Sequence, residues 1–148
     1  TKLIGTWYTK SISMDQSGVW KTDTTRATWI WYKILQKKAI QDDWYANTSP
    51  DKLEDATSMG TNIRIFNEEE QKWYMGWIDT FNYKLQSFTA TEGGGKLTME
   101  GHNAQGRPVR IVFSNVTENS FDWAQQWTFN DGQTWIDVAK IWGYRWNK

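Results

Sequence analysis

Short runs rich in β-branched and aromatic residues follow one another along almost the whole chain, and each closes on a polar turn. The 3.6-residue period of a helix is nearly absent. The pattern predicts strands at about 3–12, 18–33, 38–47, 60–67, 72–79, 83–92, 95–102, 107–114, 120–129 and 134–145. The second of these has a break point near Asp23. Residues that tolerate positive φ sit between the runs, at Asp15 to Gly18, Asn67 to Gln71, Glu92 to Gly95, Asn103 to Gly106 and Asn130 to Gln133. The Asn130-Asp131-Gly132 turn is the strongest hairpin signal. Ser49 to Ser58 leaves room for a short helix or loop, with Ser49 suited to its cap and Pro50 to its first turn.

Short turns force neighbouring strands to pair antiparallel. A meander this long on 148 residues curls, and closing it removes the two exposed edges. The expectation is one all-β domain over residues 1–148, a single up-and-down antiparallel β-barrel of about 8–10 strands with an aromatic-lined cavity. A two-sheet sandwich is the alternative, disfavoured because the connections are too short for Greek-key crossovers.

The interior is then read from alternation. Twelve tryptophans, six tyrosines and six phenylalanines make 16% of the chain aromatic, while Leu is scarce. Phe121, Trp123, Gln125, Trp127 and Phe129 share one face of their strand; Trp73, Met75, Trp77 and Asp79 share another; Trp29, Trp31 and Lys33 a third. Polar side chains on such faces are informative, because burying one unpaired costs about 1–3 kcal/mol. Arg64 (with Asn62 and Phe66), Asp79, Arg110 and Gln125 are of this kind. The expected ligand-binding set is therefore Trp29, Trp31, Arg64, Trp73, Met75, Trp77, Arg110, Trp123, Gln125 and Trp127.

Other chemistries find little support. Seventeen basic and seventeen acidic side chains cancel, so no global field draws in nucleic acid or an anionic membrane. Glu68-Glu69-Glu70 and Lys37-Lys38 read as solvated turns. Without cysteine there are no disulfides and no thiolate sites. The apolar runs are too short to span a bilayer as helices. The single histidine, His102, lies beside a turn, which speaks against a polyhistidine metal site, a catalytic triad and an axial heme ligand. Gly93-Gly94-Gly95 lacks the lysine and helix of a phosphate loop. No metal and no cofactor is expected. Asp42, Asp43 and Asp79 are the acid/base candidates, and Asp79 is the catalytic one if it faces the cavity with a raised pKa. The start at Thr1 leaves room for a removed leader, and the sequons at Asn47 and Asn115 are weak signs of secretion. The compartment stays open between bacterial cytoplasm and export.

Gly5-Thr6-Trp7 matches the Gly-x-Trp opening of lipocalin-like (calycin-type) barrels, and Arg145 lies where an arginine packs over that tryptophan in lipocalins. Ile63 to Phe66, Trp73 to Asp79, Asn115 to Phe121 and Asp131 to Trp135 follow in the order seen in a bacterial lipocalin-like family of unknown function, which the chain resembles from Gly5 to Arg145. Gln133 departs slightly from that pattern. Fatty-acid-binding proteins also begin Gly-Thr-Trp, but they carry a helical pair where this chain has β-type residues. The resemblance implies a barrel with an internal cavity and no established reaction. The leading expectation is binding of a small, largely apolar or aromatic molecule in that cavity. The first alternative is an isomerase, cyclase or hydrolase acting on a hydrophobic molecule in the same place. A carbohydrate-binding module using Trp20, Trp44 and Trp146 as outer stacking platforms is the second.

Overall fold

A computed structural model describes residues 2–147. Ten strands run in chain order: β1 (Gly5–Ser13), β2 (Thr25–Ile34), β3 (Ala39–Ala46), β4 (Met59–Asn67), β5 (Lys72–Asp79), β6 (Gln86–Gly93), β7 (Lys96–His102), β8 (Pro108–Ser114), β9 (Ser120–Trp127) and β10 (Ile136–Arg145). Each pairs antiparallel with its sequence neighbours, and β10 returns to β1, so the sheet closes into an up-and-down barrel. Closure removes every free edge from a ten-stranded sheet.

Three local expectations are sharpened or corrected. The run over 18–33 does not form one strand; Trp20 makes only an isolated bridge to Met14, and β2 begins at Thr25. The break falls at the bends over 22–23, beside Asp23 as expected; upstream of it, the Asp15 carboxylate takes the backbone N–H groups of Ser17 (2.8 Å) and Val19 (3.0 Å) and holds the preceding turn. The Asn130 turn does join β9 and β10 as an antiparallel hairpin, through a wide loop. Thr128 and Asn130 use their side chains to accept the N–H groups of Gly132 (2.8 Å) and Thr134 (2.9 Å), which widens the loop and delays β10 to Ile136. In the gap after β3 the only helix is a short 3₁₀ turn, η1 (Leu53–Asp55); Lys52, not Ser49, stands at its cap. Nothing in the described chain forms a helix long and apolar enough to cross a membrane.

The seam between β1 and β10 sets Trp7 opposite Arg145. The Arg145 guanidinium lies 4.1 Å from the centre of the Trp7 ring. It donates to three backbone carbonyls, those of Ile4 (2.5 Å), Lys2 (2.7 Å) and Glu118 (2.7 Å). Gly5, at φ +129°, allows this approach, since a Cβ there would lie 2.3 Å from Arg145 Nη1. Trp7 is fully buried, and its indole N–H donates to Leu3 at 2.8 Å. One end of the barrel is thereby plugged by the N-terminal segment.

Above the plug, rings stack in layers. Phe121 meets Trp7 edge-on at 4.9 Å, Phe113 at 5.6 Å and Trp29 at 6.0 Å. Phe121 occupies the space over Gly143 on the adjacent strand, where a Cβ would come within 2.0 Å of the ring. The interior is aromatic because a barrel this wide needs large flat side chains to reach across it.

Candidate functional site

Alternation along β3 turns Ile40, Asp42 and Trp44 inward, and along β4 it turns Asn62 and Arg64 inward. In register, Asp42 faces Trp31 on one side and Asn62 on the other, so Arg64 is its diagonal neighbour. Arg64 Nε donates to Asp42 Oδ2 at 2.8 Å, and the Trp29 indole N–H donates to Oδ1 at 2.7 Å. The Arg64 guanidinium lies 4.4 Å from the centre of the Trp31 ring. Its Nη1 points at the sulfurs of Met75 (3.4 Å) and Met99 (3.6 Å). The Asn62 amide, with its oxygen towards Arg64, accepts from Nη2 at 2.8 Å and donates to the Gly76 carbonyl at 2.9 Å. Burial pushes the Asp42 carboxyl above its ordinary range, opposed by Arg64 and by the bond from Trp29.

This buried layer divides the lumen. A chamber of about 420 Å³ lies towards the plugged end, lined by Leu3, Trp31, Ile40, Trp73, Leu97, Phe113 and Val116, with Lys2, Glu92 and Lys96 at its mouth. A second, of about 450 Å³, lies towards the end that carries the turns after β5 and β7. Its wall holds the indoles of Trp29, Trp44, Trp77, Trp123 and Trp127 with Phe88, Ile111, Gln86 and Gln125. Among the described residues, Arg64 alone lines both.

The expected ligand set is therefore split between two places. Trp31 and Trp73 belong to the chamber at the plugged end, and Trp29, Trp77, Trp123, Gln125 and Trp127 to the one at the loop end. Met75 is buried behind Arg64 and lines neither. Arg110 stands apart, on the outer face: Nε donates to Gln126 at 2.8 Å and the guanidinium stacks 4.7 Å from the Trp135 ring. Phe129 lies past the end of β9 and is exposed. His102 is exposed as well.

Asp79 reaches the rim of the loop-end chamber but closes on its own turn. Its carboxylate accepts from Trp77 Nε1 (2.7 Å), from the backbone N–H groups of Asn82 (2.5 Å) and Phe81 (2.9 Å), and from the Asn82 amide (3.4 Å). Burial pushes this carboxyl up, but the bonds from Asn82, Trp77 and Phe81 outweigh it and hold the group below its ordinary range. The raised pKa required of a general acid is thus not found here.

The three tryptophans expected on the outer surface do not form a platform. Trp44 packs inside, edge-on to Trp29 at 5.2 Å. Trp20 sits under Lys140 and Trp146 meets Tyr8, on separate parts of the barrel. Trp44 could have been recognised from its alternation with Ile40 and Asp42. Gln86 and Met99 carried no comparable signal, since both stand in strands whose two faces are mixed.

Two buried donors in the wall of the loop-end chamber, Trp127 Nε1 and Gln86 Nε2, have no partner, and neither does Trp31 Nε1 beside the other chamber. Such groups are normally paired inside a protein.

No protein-family model matches the chain, and no sequence relative is found among the curated proteins. Solved structures do match in shape. Rv2717c of M. tuberculosis superposes with a TM-score of 0.65 at 9% identity, covering 99% of this chain and 94% of that one. The S-type phycobiliprotein lyase CPES of Guillardia theta superposes at 0.63 with 9% identity, over 99% and 90% of the two chains. At such identity the likeness is one of fold, and the fold is that of a lipocalin-like β-barrel.

Proposed function

We propose that the barrel binds a small, flat, largely apolar molecule bearing hydrogen-bond acceptors, held in the loop-end chamber. The observation that carries this reading is the composition of the wall. Five indoles surround a space of about 450 Å³ that also has Trp127 Nε1 and Gln86 Nε2 without acceptors in the protein. Indole faces reward a planar partner, and the two N–H groups reward a carbonyl or similar oxygen on its edge. That a barrel of the same fold is a phycobiliprotein lyase is consistent with work on a small molecule.

A catalytic version of this site lacks its proton donor, because Asp79 is tied to its own turn and favoured as the carboxylate. Binding is the reading the geometry favours.

Titration with 1-anilinonaphthalene-8-sulfonate tests it, read by quenching of the native tryptophan fluorescence. Saturable quenching is expected in the wild type and should be lost in Gln125→Trp, which fills the chamber. Equal binding by both proteins would remove the loop-end chamber from the function.

A further inference from the structure

We propose that the chamber at the plugged end is a second, separate binding site, which takes a small uncharged molecule bearing a carbonyl group. Three features support it. The first is isolation. The two chambers have only the Arg64 side chain in common, and Arg64 is fixed by Asp42, Asn62 and two methionine sulfurs, so a molecule in one does not reach the other without breaking that layer.

The second is chemistry. The inner wall is apolar, made by Leu3, Ile40, Leu97, Phe113 and Val116. In that wall stands Trp31, 3% exposed, whose indole N–H has no acceptor. Its neighbour Trp29, one alternation away on the same strand, donates to Asp42 instead. The protein supplies no acceptor for the Trp31 N–H, and a carbonyl oxygen on a bound molecule would supply one without a charge.

The third is charge. Arg64 is the cation that touches the inner chamber wall, and it is already paired with Asp42. A carboxylate pushed to this depth would lose its hydration and meet a neutral pair, which disfavours anions. Lys2 and Lys96 stand at the mouth, where water screens them. The space of about 420 Å³ suits a molecule of one or two fused rings.

The probe is 6-propionyl-2-dimethylaminonaphthalene, an uncharged naphthyl ketone whose emission moves to the red when its carbonyl accepts a hydrogen bond. Two saturable sites per barrel are expected. Gln125→Trp should remove the loop-end site and leave one, and that one should disappear in Leu97→Trp and, independently, in Val116→Trp. Trp31→Phe keeps a ring in place but has no N–H. It should weaken the plugged-end site roughly five-fold and shift the bound emission to the blue, with the other site unchanged. If the probe occupies a single site that Gln125→Trp abolishes and neither Leu97→Trp nor Val116→Trp alters, the chamber holds no ligand and the proposal falls. If Gln125→Trp changes nothing while Leu97→Trp abolishes binding, the second site stands and the loop-end reading is the one overturned. Unchanged affinity and colour in Trp31→Phe would remove the carbonyl from the ligand class.

Discussion

Arg64 and Asp42 meet through a single contact, Nε to Oδ2 at 2.8 Å, across the diagonal between β3 and β4 with both side chains almost wholly out of water. A pair in this position is costly to break from one side, because the surviving charge stays buried. Arg64→Met should therefore destabilise the barrel by about 3–5 kcal/mol at neutral pH, and the double variant Asp42→Asn with Arg64→Met should recover much of that loss. The cost also depends on pH. Burial already raises the folded-state pKa of Asp42 above the ordinary 3.8, so its contribution is fully present below that value and declines as pH rises through the folded pKa. Removing Arg64 steepens the decline. Urea unfolding of wild type and Arg64→Met at acid and neutral pH should show a larger difference at neutral pH; equal differences would mean that Asp42 is not the group left stranded.

Asp79 behaves in the opposite sense. Its folded pKa lies below 3.8, so its contribution is present above the unfolded value and is lost as pH falls through the folded one. Asp79→Ala frees two turn N–H groups and the Trp77 indole, at a cost of about 1–2 kcal/mol near neutral pH. Melting curves taken from neutral to strongly acid pH should converge with the wild type at the acid end.

Tyr32 supplies an alkaline marker. Burial, and then the bond from its hydroxyl to Asp43 Oδ2 at 2.9 Å, push its pKa from 10.0 up to about 12. The folded state keeps this proton longer than the unfolded chain does, so stability present below 10.0 is lost as pH rises towards 12. Phenolate absorbance should contain a last-titrating component near pH 12 that is missing in Tyr32→Phe and moves to lower pH in Asp43→Asn.

Arg145→Lys keeps the charge at the seam but not the planar fork that reaches Ile4, Lys2 and Glu118 while lying on Trp7. At least two hydrogen bonds are lost, for a cost of about 2 kcal/mol, measurable as a lower urea midpoint with an unchanged slope. A slope that also changes would mean that Arg145 affects the compactness of one of the two states and not only their free-energy difference.

The number of strands, their order and the barrel were legible in the sequence because turn residues and period-two alternation act locally. The closure by Trp7 and Arg145 was legible through resemblance. The inward position of Arg64 followed from Asn62 and Phe66 on the same face, yet its partner Asp42 was read only as one of two adjacent acids. Pairing depends on register across strands, and register is not written within one strand. Arg110 shows the same limit. Val109 and Ile111 beside it are as apolar as a buried face requires, so alternation in β8 had no clear sense, and contact with Gln126 and Trp135 decided it. The division into two chambers had no local signal, since it arises where side chains from five different strands, β2, β3, β4, β5 and β7, meet around Arg64.

Nine of the ten strand pairings join sequence neighbours, and only the seam joins β1 to β10. Hairpins of that kind zip up early and fast, whereas bringing the ends together costs roughly 4 kcal/mol of chain entropy for a loop this long. Until β10 docks, the molecule is a curled ribbon with two adhesive borders, so the last strand works as its fastener. A nascent chain halted before Trp142–Arg145 has the material for both chambers and no means to hold either together, and its open borders are free to pair with those of other chains.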